Sequence, residues 1–108
     1  MSTLSTHVLD TALGCPAGGV PVTLSDADGR PLGTGTTDED GRVGRLGPDQ
    51  LEPGSYTLRF DTAGYFAASG RTTFYPEVVV TFTVGGGGEH YHVPVLLSPF
   101  GYSTYRGS

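Results

Sequence analysis

The sequence predicts an all-β chain, a two-sheet β-sandwich of about eight short strands with one short helix. Two observations carry this. The hydrophobic period is close to two along most of the chain, in runs too short for helices. The 18 Gly and 8 Pro among 108 residues stand between those runs, at Gly14 to Pro21, Asp28 to Pro31, Asp38 to Gly41 and Gly85 to Gly88, where they read as turns and not as disorder.

Taken in order, Leu4 to Asp10 alternates as a first strand. Val20 to Ser25 is a second, followed by the turn Asp26-Ala27-Asp28-Gly29. Leu32 to Thr37 is a third, short and glycine-rich, and Asp40-Gly41 turns the chain into Arg42 to Leu46. Ser55 to Asp61 alternates cleanly, with Tyr56, Leu58 and Phe60 on one face. Thr62 to Ser69 breaks the period and ends at Gly70, as a helix of about two turns would. Glu77 to Val84 is rich in β-branched residues, as suits a sheet. His90 to Leu97 and Tyr102 to Arg106 form a last hairpin around Ser98-Pro99-Phe100-Gly101. No linker or repeat divides the chain, so residues 1–108 are expected to be a single domain.

Composition excludes several functions. The net charge is -5, and the 6 Lys and Arg residues are not clustered, so the basic stripe of a nucleic-acid surface is absent. No apolar run approaches the ~20 residues of a membrane span. The N-terminus carries neither a charged leader nor an apolar segment, which makes a cytoplasmic location the expectation. The single cysteine, Cys15, forms no intrachain disulfide and fits a reducing compartment. It lies in a predicted turn without an activating histidine beside it, so it is a weak nucleophile. There is no Gly-x-Ser-x-Gly elbow, and Gly85 to Gly88 lacks the Lys-Ser/Thr and following helix of a phosphate loop.

The informative feature is sidedness. In the His90 to Leu97 strand, Tyr91, Val93, Val95 and Leu97 share an apolar face that belongs to the core. His90, His92, Pro94 and Leu96 face outward. In the first strand His7 faces with Ser5 and Leu9, against Leu4, Thr6 and Val8. Beyond the hairpin, Ser103, Tyr105 and Gly107 share a face. Proline donates nothing to a ladder and belongs at an edge or bulge. An outward face mixing histidine, proline and leucine suits a second subunit that covers it. All three histidines of the chain lie in these strands, and histidine titrates near neutrality. Each fits plain surface placement as well as catalysis, His90 beside the glycine turn above all. His90-x-His92 has chelating spacing, but no clustered Asp, Glu or Cys supplies the further ligand a zinc site needs, so no metal is expected. From the residues alone the reading stops at a soluble β-sandwich with a polar, histidine-bearing face.

Several separated segments carry the reading further. Leu4 to Asp10 with Gly14-Cys15-Pro16-Ala17 and Gly19-Val20-Pro21-Val22 resembles the opening of the 5-hydroxyisourate hydrolases. Thr37-Asp38-Glu39-Asp40-Gly41-Arg42 is similar to their central turn, and Phe74-Tyr75-Pro76-Glu77-Val78 to their segment after the helix. The end matches best: His90-Tyr91-His92-Val93-Pro94 runs through Leu97-Ser98-Pro99 and Tyr102-Ser103-Thr104 to the terminal Tyr105-Arg106-Gly107-Ser108, the ending that separates these hydrolases from transthyretins.

The resemblance implies a transthyretin-like fold and a homotetramer, a dimer of dimers, with active sites in a channel between dimers. It implies that His7, Arg42, His92 and the terminal tetrapeptide build the site, with no cofactor. The implied reaction hydrolyses 5-hydroxyisourate to 2-oxo-4-hydroxy-4-carboxy-5-ureidoimidazoline in urate degradation. Water attacks the lactam carbonyl with histidine assistance. In that scheme His7 and His92 handle the proton, Arg42 holds the substrate and stabilises growing charge, Tyr105 packs on the ring, and Ser108 orients a histidine. Arg45 sits three residues past the matching position and is not chosen. Two rivals remain: a carrier of a hydrophobic ligand, which would want an apolar channel, and an adhesion sandwich, which would leave the terminal tetrapeptide without a role.

Overall fold

The computed structural model describes residues 3–108 and contains two antiparallel-rich sheets facing each other across one core. The first sheet is built from β1 (Thr3–Asp10), β2 (Cys15–Pro16), β5 (Arg42–Val43), β8 (His90–Ser98) and β9 (Gly101–Thr104). The second comprises β3 (Pro21–Asp26), β4 (Pro31–Thr36), β6 (Gly54–Asp61) and β7 (Glu77–Val84), in the order β4-β3-β6-β7. One helix, α1 (Ala63–Ala68), follows β6. The all-β two-sheet sandwich with a single short helix is therefore the observed fold, with nine strands among the described residues where about eight were expected.

The core is made by the faces that alternation marks. Leu4 and Val8 from β1, Val22 and Leu24 from β3, Leu58 and Phe60 from β6, and Val95 and Leu97 from β8 are at or near zero exposure. At roughly 25 cal/mol per Å2 of apolar surface removed from water, these side chains are the main favourable contribution to the fold. Tyr91 and Val93 are buried with them, so the odd positions of β8 face inward as their spacing predicts.

The central pair of the first sheet is parallel. β1 runs alongside β8 from Thr3 against His90 to Asp10 against Leu97, joining segments nearly the whole chain apart. Every other pairing is antiparallel. Thr6 closes this pair on the core side, its hydroxyl donating to the Val93 carbonyl.

Three local expectations change. Cys15 and Pro16 form a short strand against Asp10 and Leu9 instead of a free turn, with Cys15 exposed. The strand after Asp40-Gly41 covers only Arg42 and Val43. The Leu46 amide then donates to the Leu4 carbonyl, and its side chain is buried in the core. Pro94 sits in β8, between β1 and β9, and not at a sheet edge. Its carbonyl faces the β9 side, where it accepts the Thr104 hydroxyl at 2.7 Å. Its donor-less nitrogen faces the same side, where the β8–β9 ladder ends at Val95 and Thr104. The missing donor thus accounts for β9 stopping at Thr104, short of the expected Arg106. The chain rejoins β8 only at Gly107, whose amide donates to the His92 carbonyl at 2.8 Å.

Candidate active site

The parallel pairing of β1 with β8 and the short pairing of β1 with β5 place three expected site residues on one outer face. His7 is the register partner of Arg42 on one side and of Pro94 on the other, while Ser5, two residues earlier, is opposite His92. Residues paired in register project to the same side of a sheet, so His7, Arg42 and His92 stand in adjacent rows.

A locked turn supports His7 and Arg42. The Asp38 carboxylate accepts the amides of Asp40 and Arg42 at 2.9 and 3.0 Å, an Asx arrangement that closes the turn. Gly41 has φ +78°, and a Cβ there would come within 2.3 Å of the Val8 carbonyl oxygen, so only glycine fits where this turn lies against β1. The turn in turn holds His7. Its Nε2 is 2.9 Å from the Asp40 carbonyl oxygen, and a carbonyl can only accept. Nε2 therefore carries a proton, and in the neutral ring Nδ1 is the basic nitrogen. Arg42 is exposed and forms no ion pair among the described residues, which leaves its guanidinium fork available to an anionic or carbonyl-rich ligand.

His92 is held from both sides. Its Nδ1 lies 2.8 Å from the Ser5 hydroxyl, and the same hydroxyl is 2.8 Å from His90 Nε2. His90 Nδ1 in turn meets the Thr3 hydroxyl. Gly107 packs on the other side of the ring, where a Cβ would come within 2.5 Å of His92 Cδ2. Burial first, then the Arg42 guanidinium, then His7 and His90, hold the His92 imidazole below the ordinary histidine value, with only the contact to Ser5 working the other way. The lowered value keeps the His92 ring neutral near neutrality, with one nitrogen lone pair free to accept a proton.

Tyr105 is 56% exposed and lines a groove together with His92, Tyr91, Val93, Val80 and Phe82. Arg106 pairs with Glu89 at 2.6 Å and stacks over the Tyr91 ring. Ser108 is exposed and hydrogen-bonds neither histidine among the described residues, whereas Gly107 touches the imidazole. Arg45 pairs with Asp49 at an exposed position. His90 is exposed, as expected, yet both of its ring nitrogens are engaged. His90 Nε2 and His92 Nδ1 share the Ser5 hydroxyl, and His90 Nδ1 meets that of Thr3, so all three nitrogens are taken by hydroxyls. No group of three metal-ligating side chains occurs among the described residues.

Ser5, the Asp40 carbonyl and the placement of His90 and Gly107 beside His92 were not singled out from sequence. Ser5 carried a faint signal, since it shares the His7 face. The others depend on which strand lies beside β1.

The chain matches the model of the HIUase/Transthyretin family over residues 4–107. It is 49% identical over 109 residues to the 5-hydroxyisourate hydrolase of Salmonella dublin, an alignment covering 97% of this chain and 80% of that protein. The solved 5-hydroxyisourate hydrolase of Klebsiella pneumoniae superposes with a TM-score of 0.90 at 40% identity, covering 98% of this chain and 99% of that one. Sea bream transthyretin, solved in complex with thyroxine, superposes with a TM-score of 0.89 at 36% identity, covering 96% and 93%. The outer-face histidines and arginine therefore sit on a known framework: the chain belongs to the HIUase/Transthyretin family.

Proposed function

We propose that this chain is the hydrolase of its family, opening the ring of 5-hydroxyisourate at the lactam carbonyl to give 2-oxo-4-hydroxy-4-carboxy-5-ureidoimidazoline in urate degradation. The observation that carries the reading is the juxtaposition of Arg42, His7 and a neutral His92 on one sheet face. The Arg42 fork binds the substrate's oxygens and offsets the negative charge that develops as the carbonyl is attacked. His92 takes a proton from the attacking water, and the proton goes to the leaving ring nitrogen as the bond to carbon breaks. His7, with Nε2 fixed on the Asp40 carbonyl, presents Nδ1 to the water or the substrate. Positioned acid–base chemistry of this kind contributes roughly 10²–10⁴ in rate, and the scheme uses no metal or other cofactor.

The site is open in the single chain, and the reading places it in a channel of a homotetramer, a dimer of dimers, where facing subunits exclude water. Tyr105 and Ser108 complete the site in that assembly, Tyr105 against the substrate ring and Ser108 beside a histidine. No helix among the described residues is long and apolar enough to cross a membrane. The enzyme is proposed to act in the cytoplasm, without nucleic-acid partners.

The test generates 5-hydroxyisourate in place from urate with urate oxidase and follows its ultraviolet absorbance. The expected result is accelerated decay that His92→Ala and Arg42→Ala both abolish, with the assembly intact. Decay at the spontaneous rate would overturn the reading and favour a carrier of the transthyretin kind.

A further inference from the structure

We propose that Ser5 and His90 are positioning residues for His92, forming a hydroxyl–imidazole relay that fixes its Nδ1–H tautomer and so leaves Nε2 as the basic nitrogen. The inference rests on the assignment of His92 to the proposed site. It stands on a continuous chain of contacts from β1 to β8: Thr3 Oγ1 to His90 Nδ1, His90 Nε2 to Ser5 Oγ at 2.8 Å, and Ser5 Oγ to His92 Nδ1 at 2.8 Å. The parallel register creates it, because Thr3 is opposite His90 and Ser5 opposite His92, so two hydroxyls and two imidazoles alternate along one face.

The chemistry of the members restricts the relay. A serine hydroxyl has one proton, and a neutral imidazole has one N–H and one lone pair. Ser5 therefore donates to one ring and accepts from the other, and all the hydrogen bonds point the same way along the chain. His92 Nδ1 is occupied by Ser5, whereas Nε2 makes no hydrogen bond among the described residues. A base needs its lone pair where the substrate is, so the productive polarity runs outward from His92. His92 Nδ1–H donates to Ser5, Ser5 to His90 Nε2, and His90 Nδ1–H to Thr3. Free histidine prefers the Nε2–H form, so the relay supplies the bias toward the less common tautomer. When Nε2 takes a proton from water, His92 becomes an imidazolium. Its Nδ1–H bond to Ser5 is then charge-assisted and stronger, which helps the step as it occurs.

Besides these members, the charged or titratable groups near His92 are His7 from β1, Arg42 from β5, and Tyr105 and Arg106 of the tail, which line the same groove, with uncharged Gly107 packed on the ring. Removing Ser5 or His90 alters none of the Arg42 or His7 contacts given above.

The experiment uses the full chain labelled with ¹⁵N at histidine. Two-bond ¹H–¹⁵N spectra above the His92 titration report its tautomer without reference to activity. Turnover of 5-hydroxyisourate across pH is recorded on the same variants. The unsubstituted protein should show His92 mainly as Nδ1–H. Ser5→Ala should shift it toward Nε2–H and lower kcat roughly 10- to 100-fold, the size carried by the outer hydrogen-bond partners of functional histidines. KM should stay within about twofold, because substrate binding is untouched. His90→Phe should act in the same direction, while Ser5→Thr and His90→Gln, which keep a hydroxyl and an amide oxygen that can accept from it, should restore most of both readouts. A His92 tautomer that is Nε2–H at the outset, or one unmoved by Ser5→Ala, overturns the relay even if the enzyme is active. Loss of all activity in the unsubstituted protein would sink the hydrolase reading and leave the tautomer measurement to judge the relay.

Discussion

Gly107 is a residue whose role is steric and local. A methyl group there would meet His92 Cδ2 at 2.5 Å and the ring's Cγ at 3.2 Å, so Gly107→Ala has to push the imidazole out of place. A shift of this kind at a reacting group can lower turnover by about 10²-fold. The expected outcome is a large fall in kcat with thermal stability nearly unchanged, checked by steady-state kinetics beside a melting curve; a variant with normal kcat would show that the ring is not held there. A second residue-scale effect is electrostatic. Arg42⁺ disfavours the charged form of His92, so removing it should raise the His92 pKa toward the ordinary 6.5. As a base, His92 works only when neutral, so activity in the unsubstituted enzyme should persist below pH 6.5 and fade as pH drops through the lowered value. An NMR titration of Arg42→Gln should show the His92 midpoint moved upward; an unmoved midpoint would mean that the two groups are electrostatically uncoupled.

At the scale of elements, the end of β1 is tied to the segment after α1 by a buried ion pair. The Asp10 side chain is fully buried. It accepts Arg71 Nη2 at 2.7 Å, the Tyr65 hydroxyl at 2.7 Å, and the amides of Ala12 and Leu13. The Arg71 guanidinium also lies over the Phe66 and Tyr65 rings. Its Nη1 is buried without a partner among the described residues, which offsets part of the gain. Burial by itself raises the Asp10 pKa, but the bonds from Arg71, Tyr65 and Leu13 together outweigh it and leave the carboxyl below its ordinary 3.8. Burial and the same carboxylate push Tyr65 up to about 12. Because the folded-state pKa of Asp10 is depressed, its contribution to stability is present above pH 3.8 and is lost as pH falls through the folded value. Arg71→Met, which strands the Asp10 charge, should cost about 3 kcal/mol in urea denaturation at pH 7. Asp10→Asn should flatten the acid side of the stability–pH curve. A loss within the scatter of surface substitutions would mean that the pair is dispensable.

The whole molecule leaves its candidate site on an open sheet face. Arg42 and Tyr105 are exposed in the single chain, and the aromatic residues Phe74, Phe100 and Tyr102 are also uncovered. An assembly that closes this face is the proposed homotetramer, and sedimentation should give a mass four times the 11.2 kDa of one chain. The tail runs from the Gly107 contact with His92 to Ser108, so residues appended after Ser108 should crowd the site. A C-terminal tag should reduce turnover at least several-fold while an N-terminal tag does not, a contrast an adhesion module would not show.

Most of the fold was legible because it follows from local pattern. β7 begins and ends where its β-branched run does, and the inward face of β8 is its odd positions. The limits of that legibility appear in two turns with the same chemistry. Asp26-Ala27-Asp28-Gly29-Arg30 and Asp38-Glu39-Asp40-Gly41-Arg42 share one pattern and fold alike. In each, the first carboxylate accepts the amides of the third and fifth residues at 2.9 and 3.0 Å, and the glycine has positive φ. Sequence alone determined both turns, because an aspartate oxygen bonding amides two and four residues on involves no other part of the chain. Only tertiary structure decided that one of them matters to the site. The second turn lies against β1, where Arg42 pairs with His7, and β1 in turn lies parallel to β8, where Ser5 meets His92. Those pairings join residues 35 to 87 positions apart, and they form only because burying both sheets against a common core leaves β1 with β5 and β8 as its neighbours.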